Sequence, residues 1–97
     1  MKDLATILDE LRRLQPELKK RYPINEMGVF GSYVRGEQRE DSDLDVLVDL
    51  GDGMTLIDLV GLQLEISDAL GLKVDLAMKD ALKPRIEKRI LAEAVML

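Results

Sequence analysis

Two apolar runs, Met27–Phe30 and Leu44–Leu50, are separated by Gly31-Ser32-Tyr33-Val34-Arg35-Gly36, and the second run opens with Ser42-Asp43-Leu44-Asp45. This stretch constrains the fold more than any other. Glycine ends the first run, a polar turn follows, and the second run must start with two carboxylates on one face. Alternate residues of a strand share a face, so Asp43 and Asp45 project together, with Cα atoms about 6.5–7 Å apart. Side chains so placed are able to converge on a divalent cation. A Gly-Ser turn opening a helix exposes backbone N–H groups to an anion, and the helix dipole favours one there. A phosphate cradle beside paired carboxylates outlines a site for phosphoryl or nucleotidyl transfer.

The rest of the chain supplies elements around that stretch. Lys2–Tyr22 reads as a helix, because Leu4, Ile7, Leu8, Leu11, Leu14 and Leu18 recur at threes and fours. Pro16 removes an internal hydrogen bond, which predicts a kink or a break into two short helices near Leu14–Gln15. Ile24–Phe30 is a strand. Ser32 is the expected cap of a short helix over Tyr33–Gln38. Gln38–Ser42 is a loop, and Asp43–Leu50 a strand with Leu44, Val46 and Val48 on one face and Asp43, Asp45, Leu47 and Asp49 on the other.

After a turn at Gly51-Asp52-Gly53, Thr55 and Asp58 resemble a capping box, with Asp in place of the usual Glu or Gln. A helix is predicted over Leu56–Leu70, with Gly71 as its left-handed cap. Leu56, Leu59, Val60, Gln63, Leu64 and Ser67 span one of its sides. Leu72–Met78 is a further strand, carrying Asp75 opposite to Val74 and Leu76. A turn at Asp80–Leu82 leads through Pro84 into an amphipathic helix, Arg85–Glu93. The order α-β-α-β-α-β-α predicts an α+β (mixed α/β) fold, a small mixed sheet with helices packed on it.

Composition excludes several chemistries. Ninety-seven residues make one domain, 1–97. The chain has no Cys and no His, so thiolate nucleophiles, Ser-His-Asp catalysis and His- or Cys-bound zinc are ruled out. Any metal is held by oxygen, which suits Mg²⁺ or Mn²⁺. With one Phe, two Tyr and no Trp, the core must be aliphatic, and platforms for stacking single-stranded bases are missing. A net charge of −5 opposes broad binding to nucleic acid. Nothing reads as a signal peptide or a membrane span, so the expected location is the cytoplasm, with no membrane partner.

Each candidate residue has a bland reading beside the chemical one. The bland reading of Asp43 and Asp45 is a pair of solvent-facing turn and strand-edge carboxylates, but Asp is depleted in strands. Asp75 is either a third member of their group or an exposed strand residue. Asp49 falls about 20 Å from Asp43, at the far end of the strand. Gly31 and Ser32 serve as a strand-to-helix turn, a phosphate turn, or both at once. Arg35 either reaches back to phosphate as a bidentate donor or pairs with a carboxylate. Gly36 closes the short helix.

Gly-Ser-x-x-Arg-Gly at Gly31–Gly36, followed by Ser-Asp-x-Asp at Ser42–Asp45, resembles the signature of DNA polymerase beta-type nucleotidyltransferases. The short chain is similar to the minimal nucleotidyltransferase family, in which features run from about Leu4 to Val95. The resemblance implies a mixed sheet with helices on one face and the active site on the other. It implies that Asp43, Asp45 and Asp75 are the catalytic, metal-binding carboxylates and hold two Mg²⁺ ions, and that Gly31, Ser32 and Arg35 meet the phosphates of ATP. It further implies AMP transfer to a hydroxyl, in this family a tyrosine of a HEPN-domain ribonuclease toxin for which the transferase is the antitoxin. A non-catalytic nucleotide-binding module that occludes or regulates its partner is the alternative, and a small-molecule nucleotidyltransferase a third reading. The apolar end Val95-Met96-Leu97 is read as a candidate contact in a homo- or hetero-oligomer.

Overall fold

The computed structural model describes residues 2–97. Helix α1, Leu4–Arg21, begins at Asp3, whose carboxylate accepts the Thr6 N–H at 2.9 Å. It buries Ile7, Leu8, Leu11 and Leu18. The expected break at Pro16 does not occur: the helix runs through it unbroken. A proline inside a helix costs roughly 3 kcal/mol. Leu11 and Leu18, on either side of it, are fully buried, and two such side chains together contribute about 3–6 kcal/mol. Pro16 itself points to solvent, so packing on the inner face outweighs the lost bond.

Strand β1, Ile24–Phe30, pairs antiparallel with β2, Leu44–Leu50, in a register that sets Met27 opposite Val48 and Phe30 opposite Asp45. Between them lies the single-turn helix α2, Ser32–Arg35. Helix α3, Leu56–Leu70, has the capping box intact: Thr55 accepts the Asp58 N–H at 3.1 Å and Asp58 accepts the Thr55 N–H at 3.0 Å. Gly71 ends it at φ +66°, in the left-handed region that glycine tolerates. α3 is apolar nearly all round, and its buried side is Leu62, Ile66 and Leu70. Leu56, Val60 and Leu64, from the side singled out in the sequence, are exposed instead.

The crossover through α3 makes β3, Val74–Met78, parallel to β2, with Asp75 beside Asp45. A 3-10 turn, Lys79–Ala81, leads to α4, Pro84–Glu93, with proline at its start. One further strand was not expected: Val95–Met96 forms β4 and pairs antiparallel with β1, and the Leu97 N–H donates to Met27 O at 2.9 Å. The apolar end therefore belongs to the chain's own sheet, with Val95 and Leu97 packed against the core. Gly28 permits this pairing, since a Cβ there would lie 2.9 Å from the Val95 carbonyl oxygen. The mixed sheet has the order β3-β2-β1-β4.

The core lies between the sheet and helices α1 and α3, with Val29, Leu44, Val46 and Val48 pointing into it. Leu47, on the other face of β2, is also buried. The opposite side of the sheet carries Asp45 and is bordered by α4.

Candidate active site

The site begins where β1 ends. Gly31 takes φ +82° and ψ −152°, a conformation open to glycine and strained for other residues. A Cβ at this position would also overlap the Asp45 carboxylate. Turn and carboxylate are thus in direct contact, and glycine is required twice over. Gly31, not Ser32, occupies the cap position of α2, and no side chain caps the helix. The expectation for Ser32 is corrected accordingly: it is the first helical residue, and Gly31 O receives the Val34 and Arg35 N–H groups at 3.0 and 3.2 Å. The helix stops after one turn at Gly36, φ +73°, short of the expected Gln38. So short a helix has little dipole, and the strongest donors here are the Gly31 N–H and the Arg35 guanidinium.

β2 supplies Asp45, half-buried, and Asp43 lies just before the strand, exposed. β3 supplies Asp75, also exposed, in register with Asp45 on the adjacent strand. Burial pushes the Asp45 carboxyl above the usual range, and the neighbouring Asp75 and Asp43 charges push it further, with Arg35 opposing them. The three aspartates are therefore an electrostatic group. Asp49 stands apart, opposite Glu26 near the other end of β2. Among the described residues no three carboxylates are drawn together as a formed metal cluster.

Sequence reasoning missed the contribution of α4. Glu93 accepts the Gly31 N–H at 2.8 Å and a hydrogen bond from Arg35 Nη1 at 2.7 Å. Arg35 Nε also lies 3.4 Å from Glu37. Of the two readings of Arg35, this structure displays the ion pair. The Arg35 bond, then the Gly31 N–H, hold the Glu93 carboxyl below the usual range. Ile86, Arg89, Ile90 and Glu93 line a cleft of about 410 Å³ together with Phe30, Gly31, Arg35 and Asp45. The clue was in the sequence: residues 86, 89, 90 and 93 follow the spacing of one helix face. Their target was not, because the contact joins opposite ends of the chain.

The cleft thus sets the Gly31 turn and Arg35 beside the Asp45 carboxylate, with Asp75 next to Asp45 on the adjacent strand. Such an arrangement suits a polyanion whose charge is balanced by a divalent cation.

Comparison with known proteins points the same way. A family described as nucleotidyltransferase domain matches residues 11–97. The chain is 45% identical over 95 residues to the protein adenylyltransferase MntA of Thermococcus cleftensis, spanning 98% of this chain and 96% of that protein. A solved structure assigned provisionally to the minimal nucleotidyltransferases aligns with a TM-score of 0.85 and 38% identity, over 99% of this chain and 97% of its own. A tri-AMPylated Shewanella oneidensis HEPN toxin in complex with MNT antitoxin contains a chain that aligns at TM-score 0.70 and 19% identity, over 93% of this chain and 70% of that one. At that identity the likeness is one of fold.

Proposed function

The chain belongs to the nucleotidyltransferase domain family, and on that premise we propose that it moves AMP from ATP to a hydroxyl acceptor, a tyrosine of a HEPN-domain toxin, and so acts as that toxin's antitoxin. The observation that carries the proposal is the contact between the Gly31 turn and the Asp45 carboxylate, with Asp75 beside it on β3. The similarity to a protein adenylyltransferase over almost the whole chain supports a protein acceptor. The single-domain reading of 1–97 is supported by one apolar cluster that draws on both α1 and Leu97. Among the described residues no helix is long and apolar enough to cross a membrane, in keeping with a cytoplasmic location.

The donor set fits a hard divalent cation. Asp43, Asp45 and Asp75 offer oxygen alone, and their mutual repulsion at Asp45 is what a cation would relieve. These residues would hold Mg²⁺ or Mn²⁺, which when bound would neutralise charge on the triphosphate and on the attacking oxygen. The chain's own work is positioning. The Gly31 N–H, Ser32 and the Arg35 guanidinium hold the β- and γ-phosphates, and the carboxylates face the α-phosphate. The acceptor oxygen forms its bond to the α-phosphorus as the bond to the bridging oxygen breaks. Pyrophosphate leaves, and the acceptor's proton passes to a carboxylate, for which Asp75 on β3, exposed and in register with Asp45, is placed.

Incubation with α-labelled ATP and Mg²⁺, with and without a HEPN-domain partner, tests this. Label on the partner that disappears in Asp43→Asn is the expected result. A tight complex without label would assign the protein to occlusion instead, and ATP affinity unchanged by EDTA would count against a metal at the carboxylates.

A further inference from the structure

Glu93 holds the two donors that a phosphate of the nucleotide would take. One of its oxygens accepts the Gly31 N–H at 2.8 Å, and the other accepts from Arg35 at 2.7 Å. A carboxylate and a phosphate are recognised by the same donors, a guanidinium fork and a backbone N–H. Arg89, one turn before Glu93 on α4, lines the same cleft and adds to the positive potential felt by the carboxylate. Glu93 in turn adds negative potential at Asp45. Nucleotide and Glu93 therefore compete twice, for the same hydrogen bonds and through like charge.

We infer that Glu93 is an internal anion seated on the phosphate turn, a tethered competitor that the incoming triphosphate must displace before the site is ready. The inference rests on the reading of this cleft as the nucleotide site. Rotation of the Glu93 side chain would free both donors while leaving the pairing of β4 with β1 in place. The device lowers the apparent affinity for nucleotide by the fraction of molecules in which the turn is open. It also keeps Arg35 from pairing with other anions of the cell, so that a ligand with several phosphates has the advantage over one with a single carboxylate.

The full-length chain is titrated calorimetrically, at fixed Mg²⁺, with a non-hydrolysable ATP analogue and separately with inorganic tripolyphosphate. Glu93→Gln keeps the shape and removes the charge, and should bind both ligands roughly three- to tenfold tighter than the wild type. Glu93→Asp, too short to span both donors, should fall between them and serves if the glutamine variant folds poorly. In an Arg35→Ala background the gain from Glu93→Gln should shrink, since half of the latch is already gone. Wild-type binding of the analogue with equal or weaker binding by both Glu93 variants would overturn the inference and leave the nucleotide site standing, with Glu93 merely orienting Arg35. Absence of analogue binding in every variant would overturn both. Binding by the glutamine variant alone would be the strongest support for displacement.

Discussion

The two faces of β2 solve opposite problems with residues that alternate along one strand. On the inner face Leu44, Val46 and Val48 are fully buried against α1 and α3. On the outer face Leu47 is buried too, while Asp45 between the two faces' apolar residues stays half-buried among other negative charges. The inner face is held by the hydrophobic effect and tolerates aliphatic exchange that conserves volume. The outer face carries an electrostatic cost at Asp45, from burial first and then from the charges of Asp75 and Asp43, which Arg35 only partly offsets. Stability and chemistry are thus divided across the thickness of one strand.

Substitutions on the outer face should break catalysis without harming the fold. Asp45→Asn should lower AMP transfer by about 10³-fold, the scale of losing several kcal/mol of cation-mediated stabilisation, as read by label transfer to the partner. Substitutions on the inner side should do the reverse. Leu62→Ala, which empties a fully buried position of α3, should cost about 2–5 kcal/mol in urea unfolding, with nucleotide affinity of the folded fraction retained.

A smaller effect sharpens the contrast through pH. The Asp45 carboxyl is raised above its ordinary value by burial and by its acidic neighbours. The folded state therefore holds that proton more tightly than the unfolded state does, and ionisation works against folding. The penalty is absent below the unfolded value, grows as pH rises through the raised folded value, and is complete above it. Asp45→Asn should consequently melt at a higher temperature than the wild type at pH 7, with the advantage fading as the pH falls toward 3. A variant that lost both activity and stability at pH 7 would mean that Asp45 has a structural partner, and the division of labour would fail. The smallest effect expected is at Asp49→Asn, on the same face but near the far end, where transfer should be unchanged within about twofold.

The parts of this architecture that the sequence made legible are those set by local chemistry. Thr55 and Asp58 sit three residues apart and form the box their spacing predicts; Gly71 ends the helix; the alternation Leu44-Asp45-Val46 sorts the faces of β2. The grouping of Asp75 with Asp45, which the resemblance implies, agrees with the in-register pairing of their strands. The misreadings share a physical cause. Pro16 was judged by its local cost, which distant packing overrides. α3 shows apolar residues on several sides, so periodicity alone did not choose its buried one. β4 is two residues long, too short to show alternation, and exists because β1 offers it an edge at Gly28. Glu93 looked like one charge among many on an amphipathic helix. Only the fold brings it to Gly31.

The two pairings of β2 differ in the length of chain that must be closed to make them, and local pairing is expected first. Antiparallel β1 and β2 are joined through a short connection and can meet early, bringing Gly31 to Asp45. Asp75 arrives only after the whole of α3 has formed and crossed over, because parallel neighbours need a long connection between them. Without β3 docked, the Gly31 turn would still meet Asp45, but Asp75 would not stand beside them.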